Sequence, residues 1–153
     1  MTSVIPSRMK NEVDLDEFLI EFEAGSLPKR EWTHAAHLGV ATCYLLSSSD
    51  DEALNQLRRR IRFLNDCHGT LNSKDSGYHE TLTRFWLLVL RRFLNALPRG
   101  ISRVRAVEQV ILAFGERKNL YENYYTFDVA KSQAARQSWI PPDKDLFGIS
   151  TFR

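Results

Sequence analysis

The stretch HAAHLGVATCYLL, residues 34–46, decides the fold because none of its residues carries a formal charge. Thr33 precedes it and is a good N-cap residue, so the stretch predicts one helix that begins at Thr33 and runs to about Leu46. A helix without a charged face has no side suited to water and belongs at the centre of a domain. With its flanks, from Trp32 to Ser49, it has about the length of a membrane span, but its histidines, threonines and terminal serines favour a buried helix.

A second helix with an apolar centre is predicted for residues 78–97. Its middle, FWLLVL at residues 85–90, is apolar on every side, which again indicates a central position. The loop in front of it, residues 70–77, is rich in turn-forming residues, and Pro98 ends the helix. The sequence therefore places two helices at the centre of the fold.

Four further segments have the periodicity of amphipathic helices. They lie at residues 14–25, at residues 50–69, at residues 102–115 and, as a shorter helix, at residues 128–138. No segment alternates apolar and polar residues for long enough to form a half-buried strand. The sequence thus predicts an all-α fold, a single-domain bundle of about six helices. A flexible lead-in is expected at residues 1–12 and one helical domain over residues 13–153.

Composition and charge narrow the range of partners. The 153-residue chain has 21 Lys+Arg and 19 Asp+Glu, and its formal net charge of +2 is too small for a dedicated nucleic-acid binder. The arginines at positions 58–60 follow an acidic run, Asp50 to Glu52, on the same predicted helix, which is typical of a solvated face. The first residues lack the pattern of a secretory signal, and a chain of this length needs no disulfides. We expect a cytoplasmic protein that binds neither nucleic acid nor membrane; the sequence predicts no oligomeric state.

Three histidines fall at the beginnings of the two central helices. His34 and His37 are three residues apart, which places both imidazoles on one helical face. His79 adds a nitrogen from the other helix, and Glu80 beside it supplies either a fourth ligand or a general base. Three protein ligands with an open position are typical of a catalytic metal site. The sequence therefore predicts a divalent metal ion held by these four residues, with zinc or iron as the first choices.

The surroundings of these histidines are typical of a pocket. His79, Thr83 and Trp86 follow one another at four and three residues, so they lie on one helical face, and Tyr78 stands at the helix entrance. We predict Glu80, Thr83 and Tyr78 as the catalytic residues. Unpaired N–H groups at both helix N-termini favour an anionic ligand and disfavour protonated imidazoles.

Other candidate residues carry weaker patterns. Cys67-His68 is more typical of packing than of metal ligation, and Cys43 is expected to be a small buried hydrophobe. The residues of a second group can either line a ligand pocket or pack in the core and form turns. They are Tyr121, Tyr124, Tyr125, Phe127, Trp139 and Asp143. The chain has no phosphate-binding loop, no serine-hydrolase motif and no dinucleotide fingerprint.

Two segments, WTHAAHL at residues 32–38 and GYHETLT at residues 77–83, resemble the motifs of a family of small, largely uncharacterised bacterial helical proteins. A closing segment, WIPPD at residues 139–143, is similar as well. The resemblance extends from about Asp16 to Leu146. It implies that the histidines and the glutamate of the two motifs, His34, His37, His79 and Glu80, form one constellation, from which His68 is absent.

These patterns lead to three hypotheses about function. The first is a metal-dependent enzyme that acts on a small molecule, with hydrolysis by a metal-activated water slightly favoured over oxygen chemistry. The second is a non-enzymatic binding or sensor domain that holds an anionic small molecule against the same helix N-termini. The third is an interaction module whose histidines only satisfy buried polar contacts.

Overall fold

A computed structural model describes residues 4–144, and within them the fold is all α. Six α-helices follow one another along the chain, without any strand in the described residues. Their bounds are α1 Glu12–Ala24, α2 His34–Ser47, α3 Asp50–Cys67, α4 Glu80–Asn95, α5 Arg103–Phe114 and α6 Gln133–Gln137. Four short 3-10 helices lie at Ser7–Met9, Lys29–Glu31, Leu120–Asn123 and Val129–Lys131. The predicted single-domain bundle of about six helices is confirmed.

Helix α2 is the central element, as its lack of charge predicts. Nine of its 14 residues are buried, and these include every residue from Leu38 to Leu45. Helices α3, α4 and α5 all pack against it, α5 most extensively. The buried hydroxyl of Thr42 donates to the carbonyl of Leu38 within the helix at 2.8 Å, whereas the hydroxyl of Tyr44 donates to the Glu23 carboxylate of α1 at 2.7 Å.

Side-chain caps fix where the helices begin. Thr33 and Ser102 accept hydrogen bonds from the backbone N–H groups of Ala36 and Arg105, as expected for N-cap residues. Helix α1 begins earlier than predicted because Asn11 caps it, by accepting from the N–H of Asp14. Capping contributes about 1 kcal/mol per helix and makes the predicted boundaries accurate to a few residues.

Two predicted segments differ from the structure. The helix expected at residues 128–138 is interrupted at Ser132, whose hydroxyl caps the short α6 and whose backbone is extended. The described part of the predicted lead-in at residues 1–12 packs on the domain, because Met9 is fully buried and Arg8 pairs with two carboxylates, those of Glu21 and Glu31. The end of the predicted domain, residues 145–153, lies outside the described residues.

Two apolar clusters meet at helix α4. The larger one joins α1, α2, α3 and α5, and the smaller one packs Phe85 and Val129 against the tyrosines at positions 121, 124 and 125. Trp86 borders both clusters. The two central helices begin between the two clusters, where His34 and His79 line a cavity. Among the helices of residues 4–144, none combines the length and the apolar character needed to cross a bilayer.

The loop in front of α4 depends on a glycine that no other residue replaces without strain. Gly77 has φ +79°, and a Cβ there would lie 2.5 Å from the Asn72 side-chain oxygen and 2.7 Å from the carbonyl of Leu71. Gly100 has a similar φ of +78°, but a Cβ there would meet nothing within 4 Å. A comparison of alanine substitutions at the two positions therefore separates the strain of a left-handed backbone, which both share, from the steric clash, which occurs at Gly77.

We expect Gly100→Ala to lower the free energy of unfolding by about 1 kcal/mol, the strain of a left-handed alanine. Gly77→Ala adds the clash with Asn72 and Leu71 and is expected to cost about 3 kcal/mol or more. Urea unfolding of both variants and the wild type measures the difference. Equal losses for the two variants would contradict the close packing of this loop.

Candidate functional site

A cavity of about 660 Å³ lies between α2, α3 and α4. Segments that follow α1, α3 and α5 close its sides, and all four histidines of the chain line it. Buried apolar side chains form one of its walls, namely those of Leu38, Ala41, Leu57, Ile61 and Leu90. The volume and the mixture of an apolar wall with a few polar groups are typical of small-molecule binding sites.

His37 presents its ring to this cavity. One face of the imidazole stacks on the indole of Trp32, with ring centroids 3.8 Å apart. The ring is exposed, but the space it faces is the cavity rather than open solvent. Within residues 4–144 neither ring nitrogen forms a hydrogen bond. Burial lowers the pKa of His37 to about 3, helped by the imidazole of His34 and the ammonium of Lys118, so the ring is neutral at physiological pH.

His34 and His68 each use one ring nitrogen on the protein. The Nε2 atom of His34 lies 3.1 Å from the carbonyl oxygen of Phe114, and that of His68 lies 2.7 Å from the carbonyl oxygen of Leu27. A carbonyl only accepts, so Nε2 carries a hydrogen in both rings, and in the neutral ring of His34 the Nδ1 atom keeps its lone pair. Burial lowers the pKa of His34, against the effect of the Phe114 carbonyl, and Lys118 lowers it further.

His79 uses both of its ring nitrogens. Nε2 donates to the carbonyl of Val129 at 2.9 Å, and Nδ1 accepts from the backbone N–H of Leu82 at 3.1 Å, so the imidazole is the N-cap of α4. Burial lowers the pKa of His79, and the charge of Arg136 lowers it further against the opposing effect of the Val129 carbonyl. This histidine lines the cavity, but it has no free lone pair to offer a ligand there.

Glu80 belongs to a buried polar cluster beside the cavity. Its carboxylate accepts from both Arg58 Nε and Arg58 Nη2, and the hydroxyl of Tyr78 donates to it at 2.8 Å. Burial by itself raises the pKa of Glu80, but the hydrogen bonds from Arg58 and Tyr78 outweigh it and leave the pKa below its ordinary value. Burial raises the pKa of the Tyr78 hydroxyl, which therefore stays protonated as the donor.

The residues predicted to hold a metal ion thus have different surroundings. His34, His37 and His79 line one cavity, whereas Glu80 is turned to Arg58 and is absent from the lining. Within the part of the chain that the structure describes, no three His, Cys, Asp or Glu side chains are grouped so that they could hold a metal ion. Of the predicted ligands, His37 and the Nδ1 atom of His34 keep free nitrogen lone pairs. The metal site stays a prediction. Of its four predicted ligands, these two imidazoles are the ones whose hydrogen bonds leave a nitrogen free to bind a metal ion.

The other predicted side chains separate into cavity and core. Tyr78 and Thr83 line the cavity, and the Thr83 hydroxyl donates to the carbonyl of His79 at 2.8 Å. Of the aromatic residues near the end of the chain, Tyr121 lines the cavity, whereas Tyr124 and Tyr125 pack in the second cluster. The three remaining candidates, Phe127, Trp139 and Asp143, are absent from the lining; Phe127 is exposed and packs edge-on against Tyr125. Trp139 lies under Arg84, and Asp143 accepts from the backbone and side chain of Thr126.

The cavity lining carries positive charge. Its described residues include Lys29, Lys118 and Arg136 but no aspartate or glutamate. Lys29 and Lys118 are exposed and therefore lie where the cavity meets solvent, and neither side chain forms an ion pair or hydrogen bond within residues 4–144. Arg136 is half-buried and donates to the backbone carbonyls of Gly77 and Ala130. The three positive charges thus have no compensating carboxylate among the described lining residues.

Sequence reasoning missed these three cations, and it did not predict that His68 lines the cavity. Each of the four comes from a connecting segment or a very short helix, where no periodicity indicates which side chains face inward. The basic residues that stand out in the sequence are the arginines of α3, and these lie on the outer side of the helix or pair with Glu80. They therefore gave no indication of the three cations that line the cavity.

Comparison with known proteins adds no assignment: no protein-family model, no curated protein and no solved structure matches the chain. The resemblance of residues 32–38 and 77–83 to a family of small bacterial proteins therefore stays a prediction.

We expect Glu80→Gln to lower the free energy of unfolding at neutral pH. The carboxylate side chain is 8% exposed and Arg58 is 35% exposed, so partial screening reduces the loss of a buried pair to about 2 kcal/mol. Because the folded pKa of Glu80 lies below its ordinary 4.5, this stabilisation is complete above that pH and disappears as the pH falls through the folded value. Unfolding titrations of both proteins at pH 7 and at acidic pH measure the effect.

Asp50→Asn is the matched control. Asp50 also pairs with an arginine, Arg91, but its side chain is 60% exposed, and exposed pairs contribute at most about 1 kcal/mol. A loss for Glu80→Gln no larger than that for Asp50→Asn would show that the buried cluster does not stabilise the wall of the cavity.

Proposed function

We propose that the protein binds a small anionic organic molecule in the cavity between α2, α3 and α4. The observation that carries the proposal is the charge of the lining, in which Lys29, Lys118 and Arg136 occur without a described carboxylate. The imidazoles next to them are kept neutral by burial, so they can donate or accept hydrogen bonds without adding charge. The apolar wall favours a ligand with a hydrophobic body as well as an acidic group.

The helix ends support an anion in the same place. Helices α2 and α4 both begin at the cavity, with 14 and 16 residues behind these ends. The N-terminus of a helix carries about half a positive charge and presents backbone N–H groups. Lys118 acts on His34 and His37 at the start of α2, and Arg136 acts on His79 beside the start of α4. Each helix N-terminus therefore has a cation near it.

A metal-dependent enzyme is the second candidate. It is favoured by one observation, namely that His37 and the Nδ1 atom of His34 keep free lone pairs on one helical face. These two residues would hold the ion, zinc or iron, and hydrolysis of a small molecule is the reaction we would expect there. Tyr78 and Thr83 line the same space, and their hydroxyls donate to Glu80 and to the carbonyl of His79.

The proposed function predicts that carboxylic acids bind better than the matching neutral amides. We would titrate the protein calorimetrically with 2-naphthoate and its saturated analogue decahydro-2-naphthoate, and with the two carboxamides. Lys118→Met should weaken the binding of either acid about tenfold, equivalent to about 1.4 kcal/mol, and leave the amides unaffected. Lys10→Met, an exposed residue outside the cavity lining, is the control and should change nothing.

Two outcomes would contradict anion binding. One is that neither acid binds more tightly than its amide, and the other is that Lys118→Met and Lys10→Met behave alike. Either result would mean that the cations at the cavity do not select its ligand.

The second candidate predicts a bound metal ion. Elemental analysis of protein purified after growth with added zinc and iron should then give roughly one ion per chain. His34→Ala and His37→Ala should lose the ion, and His68→Ala should keep it. If the wild-type protein carries no metal after such growth, this candidate is wrong. Anion binding would then have to be judged on the titrations alone.

A further inference from the structure

Three aromatic rings form a continuous stack that runs from the core to the cavity. Phe22, which is fully buried, stacks on Trp32 with ring centroids 4.8 Å apart and planes 27° from parallel. Trp32 in turn stacks on His37 at 3.8 Å and 30°. Close packing in the core holds the inner end of the stack, and each ring beyond it is supported by the ring behind it.

The stack ends at the cavity with His37. One face of its imidazole is covered by Trp32, the ring is exposed, and it lines the cavity. Since no residue within 4–144 forms a hydrogen bond with its nitrogens, the protein fixes the ring by stacking rather than by polar contacts. The side away from Trp32 is therefore a preformed flat platform on which a fourth ring can lie.

We propose that the ligand class is the aromatic carboxylates, with the ring of the ligand stacked on His37 and its carboxylate at Lys118. The inference rests on the proposed function and adds to it the shape of the ligand. Lys118 lines the same cavity as His37, and its charge acts on both His34 and His37. The cation and the platform can therefore serve a single ligand with an acid group directly on its ring.

The other rings of the cavity fit the same class. Trp86 lies in the lining next to His34, with ring centroids 5.1 Å apart, and Tyr121 also lines the cavity. A planar ligand therefore meets aromatic surface beyond the platform itself. A flexible acyl chain would fill the same volume, but it cannot stack and loses more conformational freedom when it binds to a preformed site.

The test compares 2-naphthoate with decahydro-2-naphthoate, which has the same carbon skeleton and the same acid group but no flat ring. We expect 2-naphthoate to bind about fivefold to tenfold more tightly to the wild-type protein, because ring stacking adds to the burial of apolar area. His37→Leu keeps an apolar side chain of similar size but removes the flat ring, and it should bring the affinity ratio close to one. Asn119→Ala, a cavity-lining residue outside the ring stack, should leave the ratio unchanged.

A second readout reports stacking directly. Proton NMR signals of bound 2-naphthoate should shift upfield in the wild-type protein, and the upfield shift should shrink in His37→Leu. Circular dichroism and thermal unfolding verify that this variant is folded, as expected for a side chain that forms no hydrogen bond within residues 4–144.

The outcomes separate this inference from the proposed function. Equal binding of the two acids, or an affinity ratio that His37→Leu leaves unchanged, overturns the aromatic preference while anion binding stands. If neither acid binds more tightly than its amide, the proposed function fails, and the ligand class fails with it.

Discussion

Helix α2 has no charged residue, and the whole bundle is arranged to keep it from water. From Leu38 to Leu45 every residue is buried, and three other long helices, α3, α4 and α5, cover it. The helix is accessible at its two ends, where Leu46 and Ser47 are exposed and where, in the first turn, His34 and His37 line the cavity. The candidate site therefore lies where the apolar character of the central helix gives way to polar side chains, and its position follows from the burial of the rest of the helix.

Much of this arrangement could be predicted from the sequence because the physical causes are local. Periodicity locates the long helices, and N-cap residues such as Thr33 and Ser102 fix where they begin. The spacing of His34 and His37 places both in the same cavity for the same reason. Ser132 shows the limit, because a residue that can cap a helix can also interrupt a run that otherwise looks helical.

The composition of the site could not be predicted in the same way. Lys29, Lys118 and Arg136 reach the cavity from segments whose course is set by tertiary packing. Nor could the sequence show that the lone pair of His79 is used to cap α4, or that Glu80 would turn to Arg58. A histidine at a helix beginning is equally suited to bind a metal ion and to cap the helix. The hydrogen-bond partners available in the fold decide between these roles.

The positive charges that surround the cavity act in opposite directions on an anion and on a metal ion. A divalent cation held by His34 and His37 would experience the positive charge of Lys118, which already lowers the pKa of both imidazoles. The two helix N-termini add to this repulsion. An anion gains from each of these features, and the gain is greatest near Arg136, because half-burial reduces the screening of its charge by solvent. The charges at the cavity therefore favour the proposed anion over the proposed metal ion.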